Sequence, residues 1–98
     1  MKNHIAMETY ELSKLANTDD DDMFYVVEEY GEVLKKMSHF RRSRTGSVKL
    51  AQEMIQAIIQ MEKLAYRLGV LDDMWAFYEP ELNVLKKKIE ESLEEMKK

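Results

Sequence analysis

Apolar side chains recur along this chain at the three- and four-residue spacings of helices, and nowhere alternate with a period of two over a strand's length. The plainest case is Val26, Tyr30, Val33, Met37 and Phe40, spaced 4, 3, 4 and 3, with Val27 and Leu34 widening the stripe. It predicts a helix from Met23 to about Phe40. An earlier helix is expected over Lys2 to Asn17, with Ile5, Leu12, Leu15 and Ala16 inward and Tyr10 near the edge. A third, from Val48 to Leu68, carries Leu50, Met54, Ile58, Met61, Ala65 and Leu68, flanked by Ile55 and Leu64. A last helix presents Leu82, Leu85, Ile89, Leu93 and Met96, and its charged end from Lys86 to Lys98 is expected to run into solvent or along a partner.

Polar punctuation separates these stripes. Asn17, Thr18 and the run Asp19 to Asp22 favour a turn, and Asp21 or Asp22 is expected to cap the helix that follows. Gly46 suits the hairpin connection, Ser47 the next N-cap, and Gly69 the end of that helix. Asp72 and Asp73 are expected to cap a short turn holding Met74, Trp75, Phe77 and Tyr78, aromatic residues that read as core or subunit contact. Pro80 belongs in the first turn of the last helix. The fold class that follows is all-α, one domain over residues 1–98, built as an antiparallel four-helix bundle-like core.

Composition narrows the chemistry. Cysteine is absent, so neither a disulfide frame nor a thiolate metal site is available. His4 and His39 stand alone, without the second histidine at helical spacing that a zinc site uses, and both are expected at the surface. The net charge of −4 disfavours duplex nucleic acid as a partner. No apolar run reaches membrane-spanning length, and no apolar signal core is seen near Met1, so the expected location is cytoplasmic. The stripes are broad for 98 residues, which points to a homo-oligomer, a dimer or tetramer, that buries more apolar area than one chain can.

Two polar segments then stand out: Glu28-Glu29-Tyr30-Gly31-Glu32 and Gln52-Glu53-Met54-Ile55-Gln56. Carboxylates three apart share a helix face, and two such faces brought together offer oxygen ligands to a hard divalent cation. On spacing alone these acids read first as a solvated helix face, since charge runs usually face water. With their order and separation, the chain resembles the MazG-like all-α NTP pyrophosphohydrolases, whose pattern is Glu-Glu-x-x-Glu on one helix and Glu-x-x-Asp on the next. The likeness covers roughly residues 23–92, including Val33-Leu34-Lys35-Lys36 and the Lys-rich final helix. Gln56 departs from it, an amide where the family has an acid.

That resemblance implies a dimer-forming four-helix core, Mg²⁺ as cofactor and a nucleotide as partner. It implies Mg²⁺ ligands at Glu29, Glu32 and Glu53, with Gln56 in the fourth position, and hydrolysis of a nucleoside triphosphate to the monophosphate and pyrophosphate. Glu28 or Glu29 would orient or deprotonate the attacking water. Lys35, Arg41, Arg42, Arg44 and Lys49 lie near the hairpin as candidates for binding phosphate, and Gln52 and Gln60 as amides that can hydrogen-bond a base or ribose. An amide ligand brings no charge, so the departure at Gln56 weakens a hard-cation site. Three functions stay open: a weakened or one-metal enzyme, a non-catalytic nucleotide binder, and a helical interaction module working through Leu82, Leu85, Ile89 and Leu93.

Overall fold

The structure, a computed structural model, describes residues 3–42 and 46–98. Five helices account for nearly all of them: α1 (His4–Ala16), α2 (Asp19–Arg41), α3 (Ser47–Arg67), α4 (Leu71–Ala76) and α5 (Tyr78–Met96). The all-α expectation holds. The expected start at Lys2 and the phosphate candidate Arg44 lie outside the described residues. Among the described residues, no helix is long and apolar enough to cross a membrane.

The helix ends follow local chemistry, with corrections to the expected caps. Thr18, not Asp21 or Asp22, is the N-cap of α2. Its hydroxyl accepts from Asp21 N at 3.1 Å, and Asp21 accepts from Thr18 N at 2.9 Å, a reciprocal capping box. Thr18 wins because its extended backbone (φ −92°, ψ 169°) leaves Asp19 to Asp22 free to form the first helical turn. Asparagine does the same for α1, where the Asn3 side chain accepts from Ala6 N at 3.0 Å. Ser47 is already helical, and Gly46 precedes it without a side-chain cap. Asp72 and Asp73 likewise sit inside the first turn of α4 rather than capping it. There they favour the positive end of the helix.

At the end of α3 the expectation for Gly69 holds. Its φ of +74° reverses the chain, Gly69 N–H donates to Tyr66 O at 3.0 Å, and Val70 N–H donates to Ala65 O at 2.9 Å. These are the two bonds of a Schellman motif. Pro80 falls in the first turn of α5, as its missing donor requires.

The core is a hairpin of the two long helices. The first turn of α2 meets the last turn of α3, so the pair is antiparallel. Ala57, almost fully buried, lets α2 approach, and Val26, Val33, Leu50, Met61 and Leu64 are half-buried along the contact. Among the described residues, α1 and α4 rest on α3, and α5 packs only on α4. The bundle is therefore open, with a radius of gyration of 17.0 Å where a compact chain of this size has about 13 Å.

Several apolar residues expected inside are consequently outside. Ile5, Leu12 and Leu15 of α1 are exposed, and Tyr10 and Ser13 are buried instead. α1 docks through hydrogen-bonding groups: Tyr10 Oη donates to Glu62 at 3.0 Å, and Tyr66 Oη donates to Glu11. Trp75, Phe77 and Tyr78 are largely exposed too, although the Trp75 indole donates to Glu62 at 2.9 Å. Glu62 thus joins α1, α3 and α4 through its two oxygens. Tyr30, Met37 and Phe40 on α2, with Met54, Ile55, Ile58 and Leu68 on α3, also keep substantial exposure.

Two glycine substitutions probe this account with opposite signs. Gly69→Ala places a Cβ in a left-handed backbone and should lower unfolding free energy by about 1–2 kcal/mol. Gly31→Ala sits mid-helix with no atom near the new Cβ. It should raise unfolding free energy by about 0.5–1 kcal/mol, both read from urea melts.

Candidate functional site

The inward face of the hairpin is more polar than its apolar stripes predict. On α2 it runs through Asp22, Tyr25, Val26, Glu29, Val33, Lys36 and His39, each buried or half-buried. On α3 the facing residues include Leu50, Glu53, Ala57, Gln60, Met61 and Leu64. A seam of charged and amide side chains therefore lies between the two helices, while larger apolar groups such as Phe24, Val27 and Leu34 point away from it.

The seam divides the sequence-predicted residues. Glu29 and Glu53, one from each helix, are drawn partly out of solvent. Glu28, Glu32, Gln52 and Gln56 are exposed, as are Lys35, Arg41, Arg42 and Lys49. Among the described residues, no three acids or histidines are gathered closely enough to hold a metal ion between them. Gln60 is half-buried, and its Oε1 is a buried acceptor with no donor. Such an atom needs a hydrogen-bond donor or a cation, since an unmet buried polar group costs stability. The donor set around the seam, carboxylate and amide oxygen without sulfur, suits a hard cation of the Mg²⁺ type. That ion commonly uses one or two carboxylates and completes its shell with water and phosphate.

The closed end of the seam is held by a charge cluster that composition and motif did not single out. Asp22 is fully buried. Its Oδ2 accepts from Arg67 Nε at 2.6 Å, and its Oδ1 lies 3.3 Å from Lys63 Nζ and accepts from Asn17 Nδ2 at 3.1 Å. Arg67 also donates to Asp19 Oδ1 at 3.0 Å, and to the carbonyls of Ser13 and Asn17 at 2.8 Å each. Lys63 Nζ lies 4.7 Å from the centre of the Tyr25 ring, a cation–π contact. A signal was present in the chain: Lys63 and Arg67 are one turn apart just before the stop at Gly69, and the aspartate run opens the antiparallel neighbour. Lys36 was likewise unassigned. His39, expected at the surface, is half-buried, whereas His4 is exposed and lies 2.9 Å from Glu8.

Burial alone would push the Asp22 carboxyl up. Arg67, Lys63 and Asn17 outweigh it and hold the group below the ordinary carboxylate value. A depressed carboxylate stabilises the fold above its unfolded value near 3.9, and that stabilisation is lost as pH falls through the lower folded value. Tyr10 behaves oppositely: burial, then its bond to the Glu62 carboxylate, pushes the phenol from 10.0 to about 12. Its contribution is complete below pH 10 and disappears as pH rises through about 12.

Asp22→Ala should therefore cost roughly 3–5 kcal/mol at neutral pH, because buried Lys63 loses its counter-charge and Arg67 keeps only the exposed Asp19. It should also flatten the acid limb of stability measured by denaturant melts at stepped pH. Tyr10→Phe should flatten the alkaline limb and leave the acid limb unchanged. Comparison of the chain with protein-family models, with curated proteins and with solved structures finds no match in any of the three.

Proposed function

We propose that the α2–α3 seam is a site for a nucleoside triphosphate with Mg²⁺, and that its chemistry is MazG-like pyrophosphohydrolysis weakened by Gln56. The observation that carries this reading is that Glu29 and Glu53 are half-buried on the inward faces of the two hairpin helices, and that Gln60, on the same face of α3 as Glu53, has a buried oxygen without a donor among the described residues. Half-buried carboxylates and a buried free acceptor are poor choices for a seam whose only task is packing.

Each side chain has a definable part. Glu29 and Glu53 would hold the cation, with Glu32 and Gln56 at the exposed margin adding oxygen ligands when substrate closes the site. When bound, Mg²⁺ would neutralise phosphate charge and polarise the anhydride between the α and β phosphates. Glu28, exposed and adjacent to Glu29 in the chain, would take a proton from water. Lys35, Arg41, Arg42 and Lys49 are exposed cations available to pyrophosphate. Gln52 and Gln60 offer both donors and acceptors to a base or ribose. The reaction consumes one water and releases the monophosphate and pyrophosphate.

Binding without hydrolysis is the second reading, and a specific observation favours it. Of the four ligand positions of the pattern, only Glu29 and Glu53 bring a carboxylate into the seam, and the fourth is a neutral amide. Such a chain would sequester a nucleotide without cleaving it. Self-association into a homodimer belongs to both readings.

Titration calorimetry with Mg²⁺ and a panel of nucleoside triphosphates, with pyrophosphate assayed in the same samples, separates the possibilities. Expected are Mg²⁺-dependent heat, a loss of at least tenfold in affinity in Glu53→Gln, and a gain in metal affinity in Gln56→Asp. Heat with no pyrophosphate selects the binder. No heat with any triphosphate removes the nucleotide reading altogether.

A further inference from the structure

α5 is 19 residues long and buries none of them. Among the described residues it packs only on α4, yet one face is continuously apolar. Leu82, Leu85, Ile89 and Leu93 are each about half exposed, and Met96 is 80% exposed. These five fall within about 40° of one direction around the helix, at 3.6 residues per turn. A face of that length is not left to water in a stable solution species.

The stripe reads alike in both directions. Leu85 and Leu93 stand four residues to either side of Ile89, and Leu82 and Met96 seven. A helix with that symmetry is self-complementary when two copies run antiparallel. Ile89 then meets Ile89, Leu85 meets the second copy's Leu93, and Leu82 meets its Met96.

Charge selects the same direction. The segment is charged by halves: three lysines stand against two glutamates over 79–88, and four glutamates against two lysines over 90–98. Antiparallel pairing lays each half on the oppositely charged one, whereas parallel pairing stacks like on like. Antiparallel packing also opposes the helix dipoles. Along one edge of the stripe lie Glu79, Lys86, Glu90 and Lys97. In a two-fold antiparallel pair that edge meets itself, bringing Lys86 beside the second copy's Glu90 and Glu79 beside its Lys97, with Glu90 of both copies flanking the axis between the two Lys86 side chains. The opposite edge is less favourable, since Lys88 of both copies flanks the axis and Glu81 approaches the second copy's Glu95.

Shape and area agree. The second copy's Met96 would arrive where Met74, Phe77, Tyr78, Leu82 and Leu85 line an open cleft of about 270 Å³ at the α4–α5 corner. The chain exposes 7930 Å², against about 5,800 Å² for a compact monomer of its mass. That surplus exceeds the ~800 Å² per partner of an ordinary stable interface.

We propose that α5 is a self-association helix: two copies of this chain pair their α5 stripes antiparallel about a two-fold axis at Ile89. The pairing is independent of whether the α2–α3 seam binds a nucleotide.

Absence of cysteine makes the test direct. Under mild oxidation I89C should form a disulfide-linked dimer. L82C alone should not, because the two copies of that position are about 20 Å apart, fourteen residues of rise. The double variant L82C/M96C should link again. In light scattering the unmodified chain should show twice its 11.6 kDa mass. I89E should show the single mass, with its helical circular dichroism retained because Ile89 is exposed. Efficient linkage of L82C alone would establish a parallel pair and overturn the proposal. So would a dimer that survives I89E, a failure of both I89C and L82C/M96C to link, or a single-chain mass for the unmodified protein at micromolar concentration.

Discussion

A buried carboxylate between two cations is the constraint on which the architecture rests. Asp22 has no contact with solvent, and Lys63 and Arg67 supply the charge that makes its ionised form tolerable there. Arg67 does more than neutralise. Its fork reaches Asp22 and Asp19 in the first turn of α2 and the carbonyls of Ser13 and Asn17 at the end of α1. One side chain on α3 therefore sets where α1 stops, where α2 starts and how both lie against α3. A planar guanidinium can do this and an ammonium cannot, because the donors point in fixed directions. Buried ion pairs are weak evidence for net stability but strong determinants of geometry, since any other register would strand a charge.

The position of the candidate site follows from that lock. With Asp22 fixed against Lys63 and Arg67, the antiparallel pairing is in register, and Glu29 is carried two turns up α2 into the same seam. Glu53 enters from α3 farther from the lock. Small Ala57 keeps the helices close between them, while Gln60 contributes a buried oxygen that no described residue satisfies. The hairpin thus combines a rigid closed end with a polar stretch that is only partly neutralised. That is a reasonable platform for a charged ligand, because the supporting charges are held by the fold rather than assembled by the ligand.

Apolar surface is distributed in the opposite sense. The groups that would ordinarily form a core, on the outer sides of α1, α2 and α3 and along α5, are the exposed ones. Hydrogen-bonding residues dock the short elements instead: Glu62 receives Tyr10 and Trp75, and Glu11 receives Tyr66. A chain of 98 residues arranged this way would gain most of its remaining hydrophobic stabilisation by association. The palindromic stripe of α5 would give that association a direction.

Much of the secondary structure was legible in the sequence because it depends on local physics. Helical spacing located the helices, Gly69 marked the end of α3, and Pro80 the start of α5. The acidic and amide segments around Glu29 and Glu53 were visible as candidates for the same reason. Caps were less legible, because Thr18 and the aspartates behind it compete for one role and only the chain's path chooses between them. Which face turns inward was not local at all. Periodicity shows that Val26, Tyr30, Val33 and Met37 share a side of α2, but the ion pairs of Asp22 rotate the helix so that Glu29 and Lys36 join the contact and Tyr30 and Met37 keep their exposure. The amino-acid pattern determined the helices and their stops, which arise between near neighbours. Tertiary structure decided burial, because that required matching charges from segments more than forty residues apart.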